Sequence, residues 1–143
     1  KTLPQDTIDF AYRMFDAARD GNLDLLSAAV DAGLPPNLTN AQGNTLLMLA
    51  AYAGHATIVQ MLLAKGADPN RMNDKDQSPV AGAVFKGHDA VVRVLMGAGA
   101  DPRAGMPNAI QSARMFKRDA MIEVLGAQEK EGMDVPVMVG PPA

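Results

Sequence analysis

The chain has 143 residues, of which 48% are hydrophobic, 20% are charged and 4% are aromatic, with no tryptophan and no cysteine. The lack of cysteine excludes disulfides, thiolate metal sites and a cysteine nucleophile, and the scarcity of aromatic residues favours closely packed helices over sheet-rich folds. The net charge of -3 gives no broad basic field for nucleic acid, and no apolar run reaches the roughly 18 residues of a membrane span.

The N-terminal segment is predicted to form a long helix, approximately from Asp6 to Arg19. Its polar face carries several charged side chains that we expect to point to solvent: Asp9, Arg13, Asp16 and Asp20. Terminal units of repeat arrays need such a polar outer face. We therefore interpret this helix as an N-terminal cap.

The rest of the chain repeats itself with a period of 33 residues. Residues 54–70 read GHATIVQMLLAKGADPN, and residues 87–103 read GHDAVVRVLMGAGADPR. One period earlier, Gly21 aligns with Gly54 and Gly33 with Gly66. A fourth copy at 116–125 echoes 85–95 with one residue missing. Because one short unit cannot enclose its own apolar face, such units are stable only when they stack.

Each unit is predicted to contain two helices separated by a glycine turn. Thr45, Ser78 and Asn108 precede the first helices and can accept hydrogen bonds from their free amide groups. The glycines that follow these helices allow the positive φ that ends a helix: Gly21, Gly54 and Gly87. The second helices carry an apolar stripe that we expect to form the core: Ile58, Val59, Leu62 and Leu63, then Val91, Val92, Leu95 and Met96.

At these residues the chain closely resembles the ankyrin-repeat family, whose signature is TPLHxA. The resemblance spans about Asp6 to Glu129, and in it Leu46 and Met48 stand where the signature has Pro and His. It implies an all-α solenoid of antiparallel helix pairs joined by β-hairpin-like loops. The matching positions in the second unit are Asn40, Gly43, Thr45, Leu47, Ala50, Ala51, Gly54, His55, Ile58, Val59, Leu62, Leu63, Gly66, Ala67, Asp68 and Asn70.

The predicted organisation is one domain, residues 1–131, followed by a mobile tail, residues 132–143. The four units occupy about 6–38, 39–71, 72–104 and 105–131, and we number them one to four. The tail has three prolines and no periodic pattern, although Val135, Val137 and Val139 leave open that it folds back onto the last helix pair.

The residue types that carry catalysis or metal binding are few and poorly placed. His55 and His88 occupy the same position of successive units, which implies a structural role at the helix turn. Asp68 and Asp101 form a similar pair, which we interpret as local hydrogen bonding within loops. We therefore predict no catalytic residue, no metal site and no cofactor.

Two further patterns receive structural interpretations. The helical methionines occupy core-like positions, which indicates packing and not copper binding: Met14, Met48, Met61, Met96 and Met121. The basic cluster Arg114, Lys117 and Arg118 has no neighbouring aromatic side chains that stack on bases. We interpret it as a solvated end face and predict no nucleic-acid partner.

The resemblance implies binding of a partner protein on the concave side, at the hairpin tips and the exposed face of the first helices. Tyr52 and Phe85 are the predicted anchors, whose loss we expect to leave the stability nearly unchanged. The alternative, that each ring packs against its own hairpin, stays open. The predicted contact residues are Gln42, Asn44, Lys75 and Gln77 at the tips, and Arg19, Tyr52, Phe85, Lys86 and Met115 on the helices.

The distribution of charge suggests what the partner resembles. Residues 32–64 contain no charged side chain, which is typical of the centre of an interface, so unit two is the predicted centre. Residues 71–118 hold eight Lys or Arg against four Asp, which favours a partner with an acidic patch facing Lys75 and Lys86.

These patterns favour a non-enzymatic adaptor or regulator that is monomeric alone and does not bind membranes. A structural subunit that contacts neighbours through the ends of the stack is the alternative, and an enzyme is the weakest hypothesis. We expect a cytoplasmic protein, or a periplasmic or secreted one if a signal peptide was removed before Lys1.

Overall fold

The computed structural model describes residues 3–133, and within this range the chain forms eight helices in four antiparallel pairs. The short linkers before the later pairs form hairpin-like loops, and one antiparallel bridge joins Thr39 to Thr45. The predicted all-α stack of helix pairs is therefore confirmed. The helices are α1 (Gln5–Asp20), α2 (Leu23–Asp31), α3 (Leu46–Ala53), α4 (Ala56–Ala64), α5 (Pro79–Lys86), α6 (Asp89–Gly97), α7 (Ala109–Met115) and α8 (Asp119–Val124).

The helices form two layers. The first helices of the units, α1, α3, α5 and α7, pack side by side, and the second helices, α2, α4, α6 and α8, form a parallel row against them. One continuous core runs between the layers. Six of the eight residues of the predicted stripe are buried, whereas Leu63 and Met96 are only partly buried at its edge.

Side-chain oxygens cap the first helices of units two to four as predicted. Thr45 Oγ1 accepts from the Met48 amide at 3.0 Å, and Ser78 Oγ accepts from the Ala81 amide at 3.2 Å. Asn108 Oδ1 accepts from the Gln111 amide at 2.8 Å, and the Gln111 side chain accepts in return from the Asn108 amide. Each cap satisfies an amide group that the helix itself leaves free.

The glycine turns adopt the predicted left-handed conformation, with φ of +86° at Gly21, +88° at Gly54 and +78° at Gly87. A second constraint acts at the same positions, because the next unit places a side chain directly against each glycine. A Cβ atom on Gly54 would lie 2.7 Å from Cε1 of the His88 ring. Glycine is therefore needed both for its backbone conformation and for this close approach.

The side chains that press against these glycines tie each unit to the one before it. His55 Nε2 lies 2.7 Å from the Arg19 carbonyl oxygen, and His88 Nε2 lies 3.1 Å from that of Tyr52. A carbonyl oxygen only accepts, so Nε2 carries the proton in both rings. In unit four Arg118 Nη2 donates to the Phe85 carbonyl oxygen at 3.0 Å. The predicted structural role of the histidines is confirmed.

The loops after the second helices form another ladder of hydrogen bonds. Asp68 Oδ1 accepts from the Asn70 amide at 2.8 Å, and Asp101 Oδ1 accepts from the Arg103 amide at 2.9 Å. Asn70 Oδ1 in turn accepts from the Asp101 amide, which joins unit two to unit three. The local hydrogen bonding predicted for the two aspartates is confirmed.

The C-terminal end of the stack is covered by residues 126–132. Arg103 donates through Nε and Nη2 to the two carboxylate oxygens of Glu131, at 2.6 and 2.9 Å. Arg114 Nε donates to the Glu131 carbonyl oxygen, and a Cβ atom on Gly132 would lie 2.8 Å from Cγ2 of Ile110 on α7. The tail predicted for 132–143 falls, from Asp134 onward, outside the described residues.

The predicted solvated end face is wrong for two of its three residues. Arg114 and Arg118 are partly buried and donate to backbone carbonyl oxygens, whereas Lys117 is exposed. The Arg114 guanidinium satisfies the carbonyl oxygens of Gln128 and Glu131 at the end of the stack, whereas that of Arg118 satisfies the Phe85 carbonyl oxygen of unit three.

Acid is expected to loosen the contact between Arg103 and Glu131. The hydrogen bond from Arg103, and secondly that from the Gln128 amide, hold the Glu131 pKa below its ordinary value of 4.5. A lowered carboxyl pKa stabilises the folded chain above the unfolded pKa, and this contribution is lost as the pH falls through the folded pKa. In an NMR titration the Glu131 carboxyl should therefore have its midpoint below 4.5, and Arg103→Gln should move it upward. Equal midpoints in both chains would contradict this assignment.

Candidate functional site

The layer of first helices, on the side predicted to be concave, carries a row of aromatic side chains near the C-terminal ends of these helices. Tyr52 on α3 stacks on Phe85 of α5, with ring centroids 6.5 Å apart and planes at 13°. Phe85 meets Phe116, the residue after α7, edge to face at 4.8 Å. We call these three rings the aromatic row. Arg19 occupies the corresponding position at the end of α1.

The aromatic row crosses the boundaries between units. The Tyr52 ring lies over α5, so that a Cβ atom on Gly82 would be 3.2 Å from its Cδ1. The ring contacts therefore reach into the neighbouring units. Both Tyr52 and Phe85 are partly buried, and aromatic pairs contribute about 0.5 to 1.5 kcal/mol beyond area burial. Because of these contacts we now expect that loss of the two rings lowers the stability, in place of the nearly unchanged stability that the sequence suggested.

A cleft of about 410 Å³ lies beside the first ring of the row. Met48, Leu49 and Ala53 form an apolar part of its lining, and Asn44 and Tyr52 complete the part that comes from unit two. Arg19 is the one charged side chain in the lining, and its Nη1 donates to Asp16 at 3.0 Å. The cleft coincides with the uncharged stretch that was predicted to be the centre of an interface.

The hairpin tips are held together by a buried asparagine. Asn73 Nδ2 donates to Asn44 Oδ1 of the preceding unit at 2.8 Å and to Gln77 Oε1 at 2.7 Å. Asn44 and Gln77, two predicted contact residues, thus also stabilise the tips. Gln42 and Lys75 are exposed beside them. These bonds fix the tips before a partner arrives, which lowers the entropy lost on binding.

The predicted basic residues differ in their surroundings. The Lys86 ammonium lies 5.3 Å from the centre of the Tyr52 ring, so its charge is adjacent to the aromatic row. Lys75 stands between Asp74 and Asp76 at the tip of unit three, and these carboxylates offset its charge. Of the two predicted lysines, Lys86 is therefore the one whose charge lies beside the aromatic row.

Unit four places two neighbouring residues near the aromatic row, the predicted Met115 and Phe116. Met115 is partly buried, whereas Phe116 is 40% exposed and contacts Phe85 directly. The unit is shortened in the loop before α7 and not between its helices, since α5 and α6 begin ten residues apart, as do α7 and α8. Counted from the helix starts, Met115 is the counterpart of Phe85, and Phe116 is the counterpart of Lys86.

Other chemistry finds little support in the part of the chain that the structure describes. Between residues 3 and 133 no group of three or more His, Asp or Glu side chains converges as a metal site would require. Within the same residues no helix is long and apolar enough to cross a membrane.

Stacked helix pairs, protruding loops and an open face define a helical repeat protein. The sequence model of ankyrin repeats (three copies) matches residues 14–105, and the chain belongs to the ankyrin-repeat family. Members of this family are generally modules for protein–protein interaction and are typically not enzymes.

Two similar proteins extend this assignment. The chain is 48% identical over 59 residues to an ankyrin repeat protein of Pseudomonas aeruginosa, a match that covers 41% of this chain and 34% of that protein. The ankyrin repeat domain of human ASB11 superimposes with a TM-score of 0.71 at 27% identity, covering 79% of this chain and 52% of that domain. The chain thus spans about a third and a half of these two relatives.

Proposed function

We propose that this protein is a non-enzymatic adaptor or regulator that binds a partner protein through its concave side. The observation that supports this most directly is the aromatic row beside an apolar, nearly uncharged cleft. Aromatic side chains held on rigid helices lose little conformational entropy when they dock, and they dominate many interfaces.

The arrangement also suggests how the partner is oriented. An apolar side chain of the partner fills the cleft between Arg19 and Tyr52, and carboxylates around it face Arg19 and Lys86. Gln42 and Lys75 at the exposed tips contact the rim of the same partner. Complementary charge of this kind mainly accelerates association and selects the partner.

Assembly through both ends of the stack has less support. The C-terminal end is covered by residues 126–132, so it offers no bare helix pair to a neighbour. We accordingly favour a protein that is monomeric alone and acts in the cytoplasm.

Photo-crosslinking inside the source cell tests the proposed surface. The photoreactive residue p-benzoylphenylalanine is placed at Ala53, an exposed position in the cleft lining. The matched control is the same residue at Thr57, which is exposed on α4 in the outer layer. We expect one dominant adduct from position 53 and none from position 57, because only the first faces the cleft.

Mass spectrometry of the adduct identifies the partner. The same adduct from both positions, or an adduct from position 57 alone, would count against the concave side as the binding surface.

A further inference from the structure

In unit one, additional turns of helix α1 lie where the later units have a hairpin-like loop. Helix α1 has 16 residues, whereas α3 and α5 have 8 each. One 33-residue period before Leu46, the first residue of α3, is Arg13. Residues 5–12 are therefore two additional turns, and they occupy the part of unit one in which the later units have their hairpin.

Because unit one has helix in place of a hairpin, two hydrogen-bond donors in the hairpin of unit two have no acceptor in unit one. In unit three the Asp74 amide donates to the Gln42 carbonyl oxygen at 3.0 Å, and Asn73 Nδ2 donates to Asn44 Oδ1 at 2.8 Å. One period earlier these donors are the Ala41 amide and Asn40 Nδ2. Neither has an acceptor among residues 3–133.

The orientation of the unused side-chain donor is fixed. Asn40 Oδ1 accepts from the amides of Gln42 and Asn44, both at 3.0 Å, so the carboxamide cannot rotate without losing two hydrogen bonds. Its amino group is consequently held on the opposite side. Asn73 is held in the same way by the amides of Lys75 and Gln77, and there the amino group is used.

Both donors line an apolar cleft of about 560 Å³ between α1 and the loop before the second hairpin. Ile8, Tyr12 and Phe15 contribute from α1, and Leu34 and Leu38 contribute from the loop. The lining contains no charged side chain. Tyr12 is 55% exposed, so the cleft presents apolar surface to its surroundings.

We propose that this cleft binds an extended, uncharged segment of a partner protein, which takes the position of the missing hairpin. The segment supplies one acceptor to the Ala41 amide and one to Asn40 Nδ2, and it places an apolar side chain in the cleft. It thereby continues the contact that the hairpins of units two and three already make. The lining of this cleft shares no residue with that of the cleft beside Tyr52, although both adjoin the hairpin of unit two, and the proposal does not depend on the function proposed above.

End-to-end stacking of copies of the chain is not expected to fill the cleft. Stacking copies end to end would bring the last unit of one molecule onto the first unit of another. Residues 126–132 cover that last unit, through Arg114, Glu131 and Gly132. Within the described residues the last unit is thus covered, whereas the cleft beside α1 in unit one is uncovered.

The hairpin of unit two supplies a probe, because it offers the two acceptors that unit three uses. The probe is the acetylated and amidated peptide LTNAQGNTL, residues 38–46, which carries no charge. In the free full chain the Ala41 amide should exchange with solvent like an unprotected amide, whereas the Asp74 amide should be protected. Peptide at about ten times its Kd should slow Ala41 exchange by about tenfold and shift the Asn40 side-chain signals.

A matched pair of variants locates the effect. Tyr12→Glu places a charge in the cleft and should weaken peptide binding at least about tenfold, since burying an unpaired charge is strongly unfavourable. Leu25→Glu introduces the same charge at an exposed leucine of α2, outside the cleft, and should leave binding unchanged. Thermal melts of both variants confirm that they fold.

Three results would overturn the proposal. Protection of the Ala41 amide in the dilute free chain would show that the chain fills its own cleft. Protection that grows with protein concentration alone would show that a second copy does so. Millimolar peptide that leaves Ala41 and Asn40 unchanged would show that the donors and the cleft do not act together. None of these results depends on whether the concave side binds a protein.

Discussion

Gly54→Ala is expected to lower the free energy of unfolding by about 2 to 5 kcal/mol. Holding alanine at a φ of +88° costs about 1 to 2 kcal/mol. The new Cβ atom also lies within 2.7 Å of the His88 ring, and accommodating it adds about 1 to 3 kcal/mol of overpacking. In a stacked array this contact joins two neighbouring units, on which the stability of each depends. Urea unfolding followed by circular dichroism measures the loss.

Gly97→Ala is the matched control. Gly97 is the last residue of α6, and a Cβ atom there meets nothing within 4 Å. We expect a change below about 1 kcal/mol, in the stabilising direction, because alanine is the better helix former.

Adding His88→Ala separates the two causes. In the double variant the imidazole ring is absent, so Gly54→Ala should lower the free energy of unfolding only by the backbone strain. If the cost of Gly54→Ala is the same with and without His88, the close approach of the ring contributes nothing and this account is wrong.

Replacing both Tyr52 and Phe85 by alanine is expected to weaken partner binding at least tenfold, or about 1.4 kcal/mol. The two rings form most of the aromatic row, and Tyr52 also lines the cleft. Because both rings pack across units, the melting temperature should fall as well. Binding is therefore measured by titration calorimetry with the purified partner that the crosslinking experiment identifies, at a temperature where the variant remains folded.

A control of comparable stability separates binding from folding. Leu63→Ala removes a partly buried side chain from α4 in the outer layer and should lower the melting temperature without changing the affinity. Repeating the association kinetics at rising salt tests the acidic patch, since attraction to Lys86 and Arg19 weakens with screening. If the loss of both rings leaves the affinity unaltered, the partner does not bind through the concave side.

The local features of the fold could be predicted because each depends on residues close in sequence. Thr45 caps α3 through an amide three residues away, and Gly54 ends the same helix through its own φ. The period of 33 residues then predicts that the copies stack.

Contacts between units could not be predicted in the same way. The acceptor of His88 lies on Tyr52, 36 residues earlier, and nothing local to either residue indicates it. Stacking of Tyr52 on Phe85 depends on Gly82, which leaves room for the ring on the next helix. The packing of the helices determines where side chains point across the stack. A repeat pattern in the sequence predicts which residue occupies a given position only to within a residue or two. Phe116, one residue after Met115, makes the contact with the Phe85 ring and illustrates this margin.

The contact between Arg103 and Glu131 has a topological consequence for the shortest helix. Arg103 precedes α7, and Glu131 follows α8, so their two hydrogen bonds close a noncovalent loop around the last helix pair. Helix α8 has only 6 residues and is too short to persist by itself. Fraying of α8 from its C-terminal side therefore has to open the contact between Arg103 and Glu131 first.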